Sequence, residues 1–225
     1  MSITRNVLIA GASGMVGGLL LQCCLASQQV NNIYLLSRKP SVYKNPRIKE
    51  IIISDFQGYN ALSCITEKID VVFFCIGVYT GAVDKNTFRQ ITVDYPVALG
   101  NEMVSRWPAC KFILLSGAGA DRTEISKVLF ARYKGEAENK LYQIFNHNFH
   151  SARPGYIYPV VQREEPNFMY RLFRIAYPLL KLMGKKYSIT SVALAKALFI
   201  LGMQDQHQTT FENDELVSLS TKTEQ

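Results

Sequence analysis

Apolar runs and helical patterns alternate along roughly the first two thirds of the chain. Short apolar runs predict strands, and apolar residues three or four positions apart predict the helices between them. The predicted strands cover residues 6–9, 32–36, 48–53, 70–76, 111–115 and 149–152, and the predicted helices cover residues 14–28, 59–68, 88–106 and 123–145. Such alternation is typical of chains whose helices cover both faces of a parallel sheet. The pattern therefore predicts an α/β fold with a doubly wound parallel sheet.

The C-terminal third of the chain has a different pattern. Residues 167–183 carry apolar residues at helical spacing, with three basic residues on one stripe and Pro178 interrupting the turn. We expect this segment to be a lid over a pocket of the same chain, and a basic amphipathic helix on an anionic membrane surface is the alternative. Residues 188–199 predict the beginning of a further helix that docks onto the sheet.

The composition is that of a folded chain. Hydrophobic residues make up 48% of the 225 residues and charged residues 19%, which suits one sizeable core with a small appended lobe. The net charge of +7 is compatible with nucleic acid, anionic lipid or a phosphate-rich cofactor. Because no nucleic-acid-binding motif accompanies the charge and the longest apolar runs are shorter than a membrane span, we expect neither a nucleic-acid partner nor an integral membrane segment. No pattern specifies an oligomeric state.

The cysteines indicate a reducing compartment. Cys23, Cys24, Cys64, Cys75 and Cys110 show no C-x-x-C pair and no metal-ligand spacing. At least three of them lie in apolar segments, where free thiols usually pack as small hydrophobic groups. We therefore expect a cytoplasmic protein without a metal site.

A glycine-rich turn follows the first predicted strand and opens the first predicted helix. Gly11 allows a tight turn, Gly14 allows the backbone to approach a pyrophosphate, and Gly17 allows the helix to pack closely against the sheet. The helix N-terminus adds free N–H groups and a favourable dipole for phosphate. The residues predicted to surround the pyrophosphate are Gly11, Ser13, Gly14, Met15 and Val16. A plain structural turn is the alternative interpretation.

The end of the second predicted strand favours NADP over NAD. An NAD site normally places Asp or Glu there, about 20 residues beyond the glycines, to bind the ribose 2′-hydroxyl. Here the sequence is Ser37-Arg38-Lys39. Arg38 can bind a 2′-phosphate through its planar guanidinium, and Ser37 can donate a hydroxyl hydrogen bond. A solvated basic turn before Pro40 is the alternative.

Two further strand ends carry candidate cofactor contacts. At the end of the third strand, the Asp55 carboxylate and the backbone N–H of Phe56 are predicted to meet the adenine. At the end of the fourth strand, the segment Cys75-Ile76-Gly77 is predicted to pass close to the ribose, because Gly77 has no side chain in the way.

Seven motifs in order along nearly the whole chain carry a family resemblance. They are Gly11-Ala-Ser-Gly14-Met-Val-Gly17, Ser37-Arg38, Phe74-Cys-Ile-Gly77, Val93-Asp94-Tyr95, Leu114-Leu-Ser116-Gly-Ala-Gly-Ala-Asp121, Lys134-Gly-Glu-Ala-Glu138 and Arg153-Pro-Gly155. With these motifs the chain resembles the atypical short-chain dehydrogenase/reductases, most closely their Tat-interacting oxidoreductase-like branch. The resemblance implies a Rossmann-type doubly wound parallel sheet, NADPH as cofactor, Pro154, Gly155 and Tyr156 beside the nicotinamide, and a short C-terminal lobe over the substrate pocket. We expect one domain over residues 1–225, with residues 154–190 forming part of that lobe.

The resemblance also implies a catalytic Ser at the end of the fifth strand, and a Tyr and a Lys four residues apart on the following helix. Ser116 and Lys134 fit the first and last positions, and Lys134 is also predicted to bind the nicotinamide ribose. Phe130 stands where the Tyr is expected. Adjacent Tyr133 does not substitute for it, because neighbouring helix residues point about 100° apart.

Two hypotheses follow from this substitution. The first is an NADPH-dependent oxidoreductase acting on a small carbonyl or enone, with Tyr156, Tyr158, Tyr79 or Ser116 with a water as the proton donor. The second is a non-catalytic NADP(H)-binding regulatory or scaffold protein. For Lys134, the alternative to ribose binding is a solvated residue paired with Glu138 one turn along the helix.

Overall fold

The computed structural model describes residues 4–56, 58–160, 184 and 186–221. The described strands are β1 (Arg5–Ala10), β2 (Val30–Ser37), β3 (Ile48–Ile52), β4 (Val71–Phe74), β5 (Lys111–Leu115), β6 (Phe149–Arg153), β7 (Tyr156–Tyr158), β8 (Ser188–Thr190) and β9 (Thr210–Glu212). Seven of them form one parallel sheet in the order β3-β2-β1-β4-β5-β6-β9. Strands β7 and β8 pair in parallel as a separate ribbon. The predicted parallel α/β sheet is therefore confirmed.

Helices cover both faces of the sheet. They are α1 (Met15–Ala26), α2 (Lys85–Arg89), α3 (Tyr95–Arg106), α4 (Leu129–Phe145), α5 (Ser191–Met203) and α6 (Asn213–Ser220). A π-helical turn over Gln90–Asp94 joins α2 to α3, and short 3₁₀ turns occupy Asn60–Cys64 and Asn146–Asn148.

Alternate residues of the central strands supply the two cores. Val7 and Ile9 of β1 pack in the layer formed with α1, α5 and α6, whereas Leu8 and Ala10 pack in the layer formed with α3 and α4. All four side chains are fully buried. A strand buried on both faces carries a continuous apolar run, which explains the strength of this signal in the sequence.

Three predicted helices need correction. The helix predicted over residues 59–68 is only the 3₁₀ turn Asn60–Cys64. The helix predicted over residues 123–145 begins at Leu129, because the Asp121 carboxylate accepts hydrogen bonds from the backbone N–H groups of Thr123 and Ser126, both at 2.9 Å. Such local side-chain bonds compete with helical backbone bonds.

The third correction concerns residues 188–199. Residues Ser188–Thr190 form strand β8 against β7, and the helix begins only at Ser191. Thr190 caps it, since its Oγ1 accepts a hydrogen bond from the backbone N–H of Ala193 at 3.1 Å. The predicted lid over residues 167–183 lies outside the described residues.

The strand order reverses between β1 and β4. Because all seven strands of the sheet are parallel, their carboxyl ends meet at one edge. In doubly wound sheets, ligands bind in the crevice at this edge where the strand order reverses.

Candidate active site

A cleft of about 720 Å³ opens at this carboxyl edge. It lies between the beginning of α1 and the segments that follow β4, β5 and β6. Its volume is in the range of pockets that bind small molecules and cofactors, about 300–1,000 Å³. The fold therefore places a ligand-sized cleft at the edge where doubly wound sheets bind ligands.

The glycine turn supplies one wall of the cleft. Gly11 has a φ of 95°, a conformation that side chains other than glycine rarely adopt. A Cβ on Gly17 would lie 2.2 Å from the carbonyl oxygen of Gly11, so this glycine is needed for the close approach of α1. Gly14 is the N-cap residue of α1, where no side chain caps the helix and the first turn holds no acidic residue. The first N–H groups of α1 are thus available to an anion.

The cleft brings together eleven of the residues predicted to form the site. Gly14, Met15 and Val16 line it from α1, and Cys75, Ile76 and Gly77 line it after β4. Ser116 after β5, Lys134 on α4, and Pro154, Gly155 and Tyr156 after β6 complete this set.

The other predicted cofactor contacts lie outside the lining of the cleft. Gly11 and the exposed Ser13 belong to the glycine turn. Ser37, Arg38, Asp55 and Phe56 lie at the ends of β2 and β3, on the other side of β1. The two groups of predicted residues therefore lie on opposite sides of β1, and an extended dinucleotide would have to cross the sheet edge to contact both.

Arg38 is exposed and belongs to none of the ion pairs between described residues. The Ser37 hydroxyl donates to the carbonyl oxygen of Lys39 at 2.7 Å, so its hydrogen is engaged within the turn.

Tyr95 lies beside these groups. Burial, and then the nearby Asp55 carboxylate, raise the pKa of Tyr95, whereas Arg38 lowers it. The side chain of Phe56 is buried, with its ring 5.6 Å from that of Tyr95. Polar and cationic groups therefore meet at this end of the sheet.

Glu138 is the centre of a buried hydrogen-bond network below the cleft. Its side chain has no exposed surface, and its Oε1 accepts hydrogen bonds from the hydroxyls of Ser116 at 2.6 Å and Ser151 at 2.7 Å. Arg153 donates to both of its carboxylate oxygens, from Nε at 3.0 Å and from Nη2 at 2.5 Å. Arg153 also pairs with Glu212 on β9 at 3.0 Å. The network therefore joins α4 to β6 and β9 and to Ser116, the residue that follows β5.

Sequence reasoning gave Glu138 no role in the site. Its position carries a signal, since Ala137, Leu141 and Phe145 of the same helix are also buried. A carboxylate within the buried stripe of a helix requires a cationic or hydroxyl partner. The partner, Arg153, belongs to a motif that sequence analysis singled out for other reasons.

Lys134 lies one turn before Glu138 on α4. Its side chain is 8% exposed, and its Nζ donates to the carbonyl oxygen of Leu115 at 3.0 Å. Burial lowers the pKa of Lys134 to about 8, although Glu138 and Cys75 oppose this shift. The alternative of a solvated residue is therefore wrong: Lys134 is a buried cation at the wall of the cleft.

Phe130 lies on the same face of α4, one turn before Lys134. It lines the cleft, and its ring lies over Gly117, where a Cβ would come within 2.5 Å of the ring carbon Cζ. Tyr133 instead is buried in the core with its ring 6.0 Å from that of Phe88. The phenol position expected from the family pattern therefore holds an apolar ring, and Tyr133 does not reach the cleft lining.

The remaining candidate proton donors differ in position. Tyr79 and Tyr156 line the cleft, whereas Tyr158 lies on β7 outside its lining. Cys75 also lines the cleft, and burial raises the pKa of its thiol to about 12, with Lys134 acting in the opposite direction. The thiol of Cys75 is therefore protonated at neutral pH.

Asn213 fixes the backbone after β6, a role the sequence did not indicate. Its Oδ1 accepts a hydrogen bond from the Gly155 N–H at 2.7 Å, and its Nδ2 donates to the carbonyl oxygen of Ser188 at 2.9 Å. A Cβ on Gly155 would lie 2.5 Å from the carbonyl oxygen of Tyr187. Glycine is thus required where the cleft wall meets the β7–β8 ribbon.

No group of three or more His, Cys, Asp or Glu side chains in the described part of the chain could hold a metal ion. Among the described helices, none combines the length and the apolar character needed to span a membrane.

Two curated proteins are similar to this chain in sequence. The rat protein HTATIP2 is 27% identical over 165 residues, which cover 72% of this chain and 66% of the rat protein, just under two thirds of its length. The fmp52 protein of Aspergillus clavatus, whose name describes it as mitochondrial, is 30% identical over 166 residues, which cover 71% of this chain and 69% of that protein. No family model matches the chain.

Solved structures share the fold at low sequence identity. The Bordetella bronchiseptica enzyme WbmF, solved in complex with NAD+, superposes with a TM-score of 0.66 at 16% identity, covering 96% of this chain and 77% of that one. Gre2 from Candida albicans, solved with NADPH, gives a TM-score of 0.62 at 14% identity, covering 87% of this chain and 73% of that one. Together with the fungal relative, the fold and the ordered motifs lead to one conclusion. The chain belongs to the atypical short-chain dehydrogenase/reductase family, in the group of HTATIP2 and fmp52.

Proposed function

We propose that the protein is an NADPH-dependent oxidoreductase that acts on a small carbonyl or enone. One observation carries the proposal: the uncapped N-terminus of α1, the buried Lys134 and the Pro154-Gly155 segment line the same cleft. Each belongs to a different element, and only the fold brings them together. A structural turn alone would not need a ligand-sized cleft beside it.

The cleft and the glycine turn fit a dinucleotide. The N–H groups at the beginning of α1 bind the pyrophosphate, and Gly14 leaves room for it. A Cβ on Gly77 would meet no atom within 4 Å, so this glycine faces open space that a ribose can occupy. Lys134 binds the nicotinamide ribose, and Pro154, Gly155 and Tyr156 flank the nicotinamide. When bound, NADPH supplies a hydride to the substrate carbonyl.

The preference for NADPH rests on Arg38. The guanidinium is exposed at the end of β2 and has no carboxylate partner among the described ion pairs, so it can bind a 2′-phosphate. The Ser37 hydroxyl donates to the carbonyl oxygen of Lys39, so it can donate to the phosphate only when that hydrogen bond breaks. WbmF and Gre2 were solved with NAD+ and NADPH respectively, so the shared fold accommodates either cofactor.

Phe130 favours one other function, a non-catalytic NADP(H)-binding regulatory or scaffold protein. Reduction of a carbonyl requires a proton for the developing alkoxide, and the ring of Phe130 cannot supply one. In this second proposal the fold keeps the cofactor and has lost turnover.

We further propose that residues 1–225 form one domain, with residues 154–190 contributing to a lobe over the cleft. The ribbon of β7 and β8 is the described part of that lobe. A cytoplasmic location stays a prediction from the cysteine pattern, while the name of the fungal relative places that protein in mitochondria.

The test combines cofactor titration with turnover. NADPH binding is followed by fluorescence, and NADPH oxidation is then followed by absorbance with benzaldehyde, cyclohexanone, cyclohexenone and menadione as a carbonyl panel. We expect binding and reduction of at least one member of the panel. Phe130→Tyr distinguishes the two proposals: if the cleft is a decayed reductase, this variant creates turnover that the wild type lacks. Binding without turnover in both proteins would overturn the oxidoreductase proposal and support the binding protein.

A further inference from the structure

A buried polar network below the cleft determines which hydrogen bonds Ser116 can make to a ligand. In the family pattern a Tyr at position 130 would be the donor, and that position holds Phe130. Ser116 follows β5 and lines the cleft. Its oxygen is 2.6 Å from Glu138 Oε1 and donates to it, so the hydroxyl hydrogen points away from a ligand in the cleft. Ser116 therefore offers lone pairs, and accepts hydrogen bonds, on the side of the cleft.

The groups around Glu138 favour the hydrogen bond that Ser116 donates to it. Glu138 is fully buried and accepts hydrogen bonds from the Ser151 hydroxyl and from Nε and Nη2 of Arg153. Hydrogen bonds from Arg to a carboxylate are charge-assisted, and loss of a donor to a buried acceptor costs free energy. Withdrawing the Ser116 hydrogen would remove one of these donors. The structure thus disfavours Ser116 as the proton source for a substrate.

The Lys134 ammonium has more N–H groups than the hydrogen bonds described for it. An ammonium group carries three N–H bonds, and in the described part of the chain Lys134 uses one of them, toward the carbonyl oxygen of Leu115 at 3.0 Å. It lines the cleft but is 8% exposed, so little water reaches it. No carboxylate lies within ion-pair distance of it among the described pairs. Two N–H bonds therefore stay available to a ligand in the cleft.

The charged and titratable groups around Lys134 come from several elements. Glu138 lies on the same helix, Arg153 of β6 binds Glu138, and Cys75 follows β4. Tyr79 and Tyr156 line the same cleft. Burial is the largest influence on Lys134 and lowers its pKa to about 8, against the opposite effects of Glu138 and Cys75. An acid of this strength loses its proton readily near neutral pH.

We propose that Lys134 is the proton donor of the reaction, in the place of the missing tyrosine. This proposal rests on the proposed oxidoreductase function. The carbonyl C=O π bond breaks as its carbon gains a hydride from NADPH, which becomes NADP+, and its oxygen gains a proton from the Lys134 ammonium. Lys134 is left as a neutral amine, which regains its proton from water when the alcohol leaves. Charge and atoms balance without another residue.

The turnover test uses a carbonyl that the wild type reduces, with saturating NADPH. Lys134→Met removes the donor and keeps an apolar stem, and we expect kcat to fall by about 100- to 10,000-fold. Lys134→Arg keeps the positive charge but cannot release a proton near neutral pH, so we expect a similar fall. Methylamine added to Lys134→Met partly restores kcat, and the wild-type kcat falls as pH rises through about 8. Lys140→Met is the matched control on the exposed side of α4, and it keeps its kcat.

A second readout needs no turnover. Competitive acetylation of the NADPH-free protein across a pH series, with peptide mass spectrometry, gives the titration midpoint of each lysine amine. We expect the Lys134 midpoint near 8. NADPH titration of each variant shows whether loss of kcat comes with loss of cofactor binding.

The outcomes separate this proposal from the proposed function. A wild type that reduces a member of the panel, together with a Lys134→Met variant that keeps its kcat and has only weaker NADPH binding, overturns Lys134 as the donor and leaves the oxidoreductase standing. An ordinary midpoint for Lys134 also overturns it. A wild type that binds NADPH but reduces no member of the panel overturns both proposals.

Discussion

Arg38 is the residue on which the choice of cofactor depends. The charge-assisted bonds of its guanidinium to a 2′-phosphate are worth about 2 kcal/mol or more, roughly 30-fold in Kd. We therefore expect wild-type protein to bind NADPH more tightly than NADH, and Arg38→Ala to remove most of the difference. Fluorescence titration with both cofactors measures it. Lys39→Ala is the matched control, since it removes a neighbouring exposed charge.

Equal affinities of the wild type for the two cofactors would contradict the role of Arg38. An equal loss in Arg38→Ala and Lys39→Ala would indicate a diffuse electrostatic effect in place of a specific contact.

Single residues were predictable from the sequence where the backbone dictates their type. Gly11 and Gly17 are such cases, because a positive φ and a 2.2 Å approach of a Cβ exclude side chains. Ser116 and Lys134 were found through spacing and resemblance. Glu138 was not, because its partners come from strands far along the chain: Arg153 lies 15 residues away, and Ser116 lies 22 residues away. Pairings of this kind follow from topology, and no local pattern carries them.

The segment after β4 offers the sharpest test at the level of an element. A Cβ on Gly77 meets nothing within 4 Å, whereas a Cβ on Gly17 would lie 2.2 Å from a backbone oxygen. We expect Gly77→Val to keep the stability of the wild type and to weaken NADPH binding by more than about tenfold, since its side chain enters the cleft. Gly17→Ala, in contrast, loses stability. Urea unfolding and cofactor titration of both variants separate the two effects.

Retention of full NADPH affinity by a folded Gly77→Val protein would place the dinucleotide elsewhere.

Strands and helices were predicted well where a hydrophobic pattern extends over many residues. They were predicted poorly where local side-chain hydrogen bonds or pairing between distant segments determines their bounds. Strand β5 was predicted at its observed bounds, Lys111–Leu115. The beginning of α4 was predicted early, because the turn held by Asp121 has no signature in the hydrophobic pattern. Strands β7, β8 and β9 are three residues long, which is too short for an alternation pattern to be seen.

The buried positive charge of Lys134 lowers the free energy of unfolding of the whole molecule. Its pKa falls from 10.5 to about 8 on folding, which corresponds to about 3 kcal/mol of destabilisation by the buried charge at neutral pH. Between these two values the unfolded chain binds more protons than the folded one, so this group makes stability rise with pH across that window and contributes no slope below it. We expect Lys134→Met to be more stable than wild type at pH 7, by up to about 3 kcal/mol.

Urea unfolding of wild type and Lys134→Met at neutral pH and near pH 10 measures the effect. The advantage of the variant is predicted to shrink as pH rises, because the wild type sheds its buried charge. An advantage that does not change with pH, or a variant less stable at both values, would contradict a buried cation at this position. A substitution that stabilises the fold and abolishes function is typical of functional sites, because the residues needed for the reaction are held there at the expense of stability.

We propose that NADPH binds across the carboxyl edge of the sheet with its nicotinamide in the cleft. A crystal structure of the protein grown with NADPH tests it most directly. We expect the pyrophosphate at the N-terminus of α1, the 2′-phosphate against Arg38, and the nicotinamide between Lys134 and the Pro154-Gly155 segment. Density for the dinucleotide away from the glycine turn, or a cleft that stays empty at saturating NADPH, would contradict it.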